Sequence, residues 1–175
     1  MATWKIDTAH SEIEFKVKHL MITNVTGHFA TYDATVTAGN DDFSDATISF
    51  EADVNSISTK NTQRDEHLKS PDFFDAANHP KITFTSTGVE KKDADTFVLN
   101  GNLTIRGVTK PVALNVEYSG ITIDPYGQTK AGFELTGKIN RKDFGLSWSA
   151  TTEAGGLVVS DDVRLIAAVQ IIKQA

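Results

Sequence analysis

Glu12-Ile13-Glu14-Phe15-Lys16-Val17-Lys18-His19 is the stretch that decides the fold. Its odd positions, Ile13, Phe15, Val17 and His19, form one face, while the even positions Glu12, Glu14, Lys16 and Lys18 are all charged. A period of two marks a strand with one face buried and the other in water. The same alternation returns in Ala46, Ile48, Phe50, Ala52 and Val54, and again in Phe97, Leu99, Gly101, Leu103 and Ile105. Further strands are expected near 26–38, 81–90, 112–123, 129–140 and 162–173. Composition agrees: 47 β-branched residues stand against 11 Leu plus Met, which favours pleated, half-buried surfaces over helices.

Turn signals join these segments: Ala38-Gly39-Asn40-Asp41, Asn100-Gly101-Asn102 and Pro125-Tyr126-Gly127. Alternating strands with no helices between them predict antiparallel hairpins, an all-β barrel or sandwich of about eight strands. A barrel of that size is either filled by its own side chains or holds one small ligand. Ala46, Ala52, Gly101 and Gly137 beside several Phe fit both. The 175 residues carry no internal repeat and no linker, so 1–175 reads as a single domain.

A net charge of −6 argues against a nucleic-acid partner. The absence of Cys removes disulfides, thiol nucleophiles and Cys-ligated zinc. The longest aliphatic run, Leu165 to Val169, is far short of the roughly 18 residues of a membrane helix, so no integral membrane segment is expected. The start shows no basic region followed by an apolar one, which points to a cytoplasmic protein, or a periplasmic one if a leader has been removed.

From Asn55 to Lys81 the alternation stops for longer than a plain loop allows. Ser58 or Thr59 is expected to cap a helical turn over 60–69, and Ser70-Pro71-Asp72 to start a second over Phe73 to Ala77, with Phe73 and Phe74 against the barrel rim. Arg64-Asp65-x-His67 reads either as a lid orienting a ligand's polar end or as a loop pinned by an internal Arg–Asp pair. Asn140-Arg141-Lys142-Asp143-Phe144-Gly145 is a basic turn in which Gly supplies a positive φ and Arg pairs an acid across the mouth. Leu103 to Val112 reads as a hairpin bent at Gly107, with Pro111 before the next ladder. The five His match no metal-ligand spacing, and no metal is expected. His10-Ser11 lacks a nucleophile elbow, and adjacent strand residues point apart. His19 continues an apolar face and reads as buried and hydrogen-bonded. The last strand is apolar on nearly both faces, as if something, such as a second subunit, covers its outside.

Five blocks together resemble the YceI family, the lipocalin-like polyisoprenoid-binding proteins, over most of the chain. They are Trp4-x-Ile6-Asp7-x-x-His10-Ser11-x-Ile13-x-Phe15-x-Val17-x-His19-Leu20 with Gly27-x-Phe29; Arg64-Asp65-x-His67-Leu68-x-Ser70-x-x-Phe73-Phe74-Asp75; Leu103-Thr104-Ile105-Arg106-Gly107-Val108-Thr109; and Asn140-Arg141-x-Asp143-Phe144-Gly145. The resemblance implies an antiparallel eight-stranded lipocalin-like barrel with a helical insertion near 58–78 and a homodimer. It also implies non-enzymatic binding, storage or transport of a long-chain isoprenoid, quinone-like or other amphiphilic lipid, with no cofactor. Carried over by position, Phe15, Val17, Phe29, Ile48, Phe50, Phe84, Leu99, Leu103 and Phe133 line the tail site, and Leu68, Phe73, Phe74 and Phe144 close it. Arg64, His67, Arg141 and His19 fall at the head group, although these motifs serve equally as staples of the fold. The rival readings are a prenyl hydrolase or isomerase using His19 and His67, and a packed barrel whose surface is the function.

Overall fold

In the computed structural model, residues 1–149 and 158–175 are described. They build a closed antiparallel barrel of eight staves, three of which are broken in two. The first stave rises through β1 (Ala2–Ile6), a 3-10 turn at Thr8–His10 and β2 (Glu12–His19). The second descends through β3 (Thr23–Phe29) and β4 (Tyr32–Ala38). The third rises through β5 (Thr47–Asp53) and, past a 3-10 turn at Val54–Ser56, the short β6 (Ile57–Ser58). Then come helix α1 (Thr62–Lys69) and five unbroken staves: β7 (Lys81–Lys91), β8 (Thr96–Ile105), β9 (Val108–Ile123), β10 (Thr129–Asn140) and β11 (Val159–Lys173). Ladders run β1-β4-β5-β7-β8-β9-β10-β11, and β11 pairs back onto β1, so no edge is left in that ring.

The register carries the alternation into the interior. Phe15 faces Leu165 and Val17 faces Val163 across β2 and β11, while Leu99 faces Leu114 and Phe97 faces Val116 across β8 and β9. These are the apolar parities of each strand, so the charged parities fall outside. Two glycines make room for rings on the wall. Gly27 lies opposite Phe15, and a Cβ there would stand 2.2 Å from the ring; at Gly101 a Cβ would stand 2.3 Å from the ring of Phe84.

Several expectations change. The segment 26–38 is two strands, because at Ala30-Thr31 the chain leaves its ladder with β6 for one with β1. There Ala30 donates to the Ser56 carbonyl, and Asp53 donates to that of Thr31. Ala2–Ile6 is a strand too short for its alternation to register alone. Asn100-Gly101-Asn102 is strand interior rather than a turn, paired with Ala113, Val112 and Pro111. Pro111 itself lies inside β9. It has no N–H to give, and it sits where β9 has parted from β10, whose ladder with it ends at Asn115–Thr136. Asn61, not Ser58 or Thr59, caps α1, its side chain accepting from the Arg64 N–H at 3.0 Å. No second helix forms over 73–77. The N–H groups of Phe74 and Ala76 return to the carbonyls of Leu68 and Lys69, reversing the chain, and Asp75 takes a left-handed φ of 50°. Phe73 and Phe74 are nonetheless buried under the rim.

Candidate functional site

The loop joining β4 to β5 folds into the lower end of the barrel. Phe43, at a left-handed φ of 61°, is 4% exposed and packs against Trp4, Tyr118 and Phe133 at centroid distances of 5.2, 5.5 and 5.1 Å. Trp4, Val36, Ala38, Ala131 and Ile171 complete this floor. Above it the interior is hollow, with a cavity of about 470 Å³ bordered almost wholly by apolar side chains. That volume falls in the range of ligand sites, and an apolar lining of this kind holds hydrocarbon better than water.

Twelve of the thirteen residues assigned to the tail site border the cavity: Phe15, Val17, Phe29, Ile48, Phe50, Leu68, Phe73, Phe74, Phe84, Leu99, Leu103 and Phe133. Phe144 does not. It is buried in the 3-10 turn Arg141–Phe144 and supports the rim from behind. Phe43, Trp148, Leu135, Leu165 and Val169 also border the cavity and were missed. Phe43 was legible as the one aromatic in the acidic run Asp41-Asp42-Phe43-Ser44-Asp45, and Trp148 as a large ring in an otherwise small, polar stretch.

The upper end is closed by a lid of loops. His67 meets Phe73 and Trp148 edge-on at 5.1 and 5.0 Å, and Phe73 meets Trp148 at 5.4 Å. The His67 Nε2 lies 2.9 Å from Asp72 Oδ2. Arg64 and Asp65 do not pair with each other; they meet on Thr59. Arg64 donates from Nε to Thr59 Oγ1 and from Nη2 to its carbonyl, at 2.8 and 2.7 Å, while Asp65 Oδ1 accepts from the Thr59 N–H and hydroxyl. Arg64 Nη1 has no hydrogen-bond partner among the described residues.

Arg141 borders the cavity at 3% exposure, and its donors point into backbone. Nη1 donates to the carbonyls of Leu146 and Trp148, both at 2.6 Å, and Nε to that of Ser160 at 3.0 Å. Asp161 stands 3.7 Å away. Burial draws the guanidinium below its ordinary value, with Asp161 opposing. Gly145 ends this turn at a φ of 78°, as its sequence position implies.

Arg106 enlarges the reading of its segment, which sequence presented as a hairpin and nothing more. It sits at a φ of 52° beside Gly107 at 72°, in a tight turn that ordinarily takes Asn-Gly. From there Nη1 donates to the carbonyls of Pro71 and Phe73, both at 2.7 Å, and reaches that of Gly145 at 3.4 Å. One cation thus ties the insertion to the basic turn. An Arg-Gly pair at a hairpin bend, where Asn-Gly is ordinary, was the signal.

His19 is exposed at the rim rather than buried, although it borders the cavity. His10 pairs with Asp7 at 2.8 Å, and the Ser11 hydroxyl accepts from the Gln170 N–H at 3.0 Å. Among the described residues no three His or acidic side chains converge into a metal-binding group. No helix among them is long and apolar enough to cross a membrane. Outside β11, Ile166 and Ile172 are half-buried and Ala168 is exposed.

A closed antiparallel barrel around an apolar cavity, floored by aromatic rings and lidded by loops, defines the class. The YceI-like domain family matches residues 4–171, and the chain belongs to it. It is 39% identical to Protein YceI of Salmonella newport, over 99% of this chain and 88% of that one. The crystal structure of the YCEI protein of Campylobacter jejuni superposes with a TM-score of 0.77 at 36% identity, covering 91% of each chain. A polyisoprenoid binding domain from Saccharophagus degradans shares the fold with a TM-score of 0.73 at 14% identity, covering 98% of each chain.

Proposed function

We propose that this protein binds, and stores or carries, a long-chain isoprenoid or similar amphiphilic lipid with its tail in the barrel, and catalyses nothing. The observation that carries the reading is the apolar cavity of about 470 Å³ with its polar neighbours Arg64 and His67 gathered at one end. That the Saccharophagus degradans domain sharing this fold is a polyisoprenoid binding domain supports it. The hollow interior also weighs against a barrel packed solid with its own side chains.

The energetics suit a carrier. Each methylene moved from water to the cavity contributes about 0.8 kcal/mol, so a tail of about 15 carbons brings a gross ~12 kcal/mol, from which association and ordering costs are subtracted. Selection is then by tail length and shape. At the head, Arg64 Nη1 has no partner among the described residues while the donors of Arg141 serve carbonyls, so Arg64 with His67 and the rim His19 receives the polar group. A homodimer belongs to the same proposal.

Organic extraction of gently purified protein, with mass spectrometry of the extract and a native mass of the intact species, tests the reading. A stoichiometric isoprenoid or quinone is expected. A folded protein that yields none and refuses added prenyl lipids overturns it. Leu135→Trp, which fills the cavity from its wall, is expected to weaken prenyl-probe binding about ten-fold or more without unfolding the barrel.

A further inference from the structure

At the top of the barrel, beside the cavity mouth, the β2–β3 hairpin ends in Leu20-Met21-Ile22, exposed by 40, 54 and 77%. The turn is tight: the Ile22 N–H donates to the His19 carbonyl at 3.2 Å, and Leu20 and Met21 hold φ of 53° and 59°. Asn and Gly take such a turn with little cost, whereas Leu and Met do not. The fold therefore accepts backbone strain while presenting three apolar side chains to solvent, which calls for a partner.

The stem beneath this tip supplies a second observation. Lys16 on β2 lies directly opposite Arg164 on β11, and Arg164 directly opposite Lys138 on β10, all on the outer face. Like charges placed side by side in a sheet are destabilising, and here they form a row in a chain whose net charge is −6. Lys18 sits two positions before Leu20 on the same face. Asp162 pairs with Lys138 at 3.6 Å and Asp161 with Lys142 at 3.3 Å, and Glu14 lies one step below Lys16. Lys16, Lys18 and Arg164 have no carboxylate within 4 Å among the described residues.

A third observation is continuity. The Leu20 N–H donates to the Val158 carbonyl at 2.8 Å, and Val158, His19 and Val25 border the cavity. The other exposed apolar tip, Ile121, Ile123 and Tyr126, lies at the floor end closed by Phe43, and Lys130 beside it is neutralised by Asp7 and Asp124.

We infer that the Leu20-Met21-Ile22 tip inserts into an anionic lipid bilayer while Lys16, Lys18 and Arg164 face its head groups, setting the barrel mouth on the membrane. Exposed apolar side chains bounded by cations with no carboxylate within 4 Å among the described residues suit such a surface. The inference rests on the tail-binding reading for its purpose but not for its test.

The full chain is sedimented with vesicles of phosphatidylcholine containing phosphatidylglycerol, and with phosphatidylcholine alone, while prenyl-probe uptake is measured in solution. Salt-sensitive binding to the anionic vesicles is expected. Each neutralisation, Lys16→Gln, Lys18→Gln or Arg164→Gln, should lower it about five-fold, the equivalent of ~1 kcal/mol. Met21→Asp with Ile22→Asp should lower it about ten-fold or more while probe uptake stays normal, which also shows that the variant folds. A chain that takes up probe yet ignores anionic vesicles overturns docking and leaves tail binding standing. One that docks yet refuses probe does the reverse. If the tip variant binds vesicles like the parent, or changes only the native mass, the tip meets a second copy instead and the inference fails.

Discussion

The two ends of the barrel are shut by different physics. At the floor, Phe43 fits among Trp4, Tyr118 and Phe133, and closure is chiefly ring packing, to which the Tyr118 hydroxyl adds one bond to the Asp41 carbonyl at 3.1 Å. At the lid, Arg141, Arg106 and Arg64 hold loops by their carbonyls, and the rings of His67, Phe73 and Trp148 rest on what those arginines hold. Packing of the first kind opens only with the domain. Hydrogen bonds to loop carbonyls can open locally, since water replaces each one, so the lid, which rests on more of them, is expected to open at lower cost than the floor.

That contrast can be broken by substitution. The largest effect is expected at the floor: Phe43→Ala leaves a cavity among rings and should cost about 3–5 kcal/mol by urea denaturation. A cost under about 1 kcal/mol would mean the floor is loosely packed and the two ends are alike. Next comes Arg141→Met, which keeps the bulk but orphans the Leu146 and Trp148 carbonyls, at a cost of about 3 kcal/mol. Arg106→Ala should cost less, about 1–2 kcal/mol, and should speed amide exchange over 68–77 while leaving the floor around Phe43 protected. Uniform acceleration of exchange would show that lid and floor open as one unit.

The smallest effect concerns the acid side. Lys130 donates to Asp7 Oδ2 at 2.8 Å, and this bond holds the Asp7 carboxyl below its ordinary value. The Asp124 carboxyl is held low too, first by the Gln128 N–H. Groups held low in the folded state lend stability that is present above about pH 4, the ordinary carboxyl value, and is lost as pH falls below it. Thermal melts should therefore drop on acidification below that point, and Asp7→Asn should show a shallower drop. An identical acid limb in the variant would remove Asp7 from the account.

Much of the fold was legible because its signals are local. Ile13, Phe15 and Val17 against Glu14, Lys16 and Lys18 name a strand and its buried face within eight residues. Phe73 and Phe74 in an irregular segment were readable as a rim contact for the same reason: two adjacent rings in a polar loop need cover. Asn61 as the helix cap was harder, since Ser58, Thr59 and Asn61 all qualify chemically. The choice fell to Asn61 because Thr59 is held by Arg64 and Asp65.

The lid residues show where such reading stops. Arg64, His67, Arg106 and Arg141 are spread over nearly eighty residues, and what a guanidinium donates to depends on which carbonyls the barrel carries to it. Arg64 and Asp65, neighbours in the chain, meet only through Thr59, while Arg106 reaches Phe73 and Gly145, each more than thirty residues away. Alternation, composition and turn chemistry were enough for antiparallel hairpins in a barrel or sandwich, because each acts over a few residues, and the choice of barrel came from the family resemblance. Whether its interior is filled or hollow, how each end is closed, and which carbonyls each arginine meets depended on long-range packing, where the same Ala, Gly and Phe fit either outcome until the staves close.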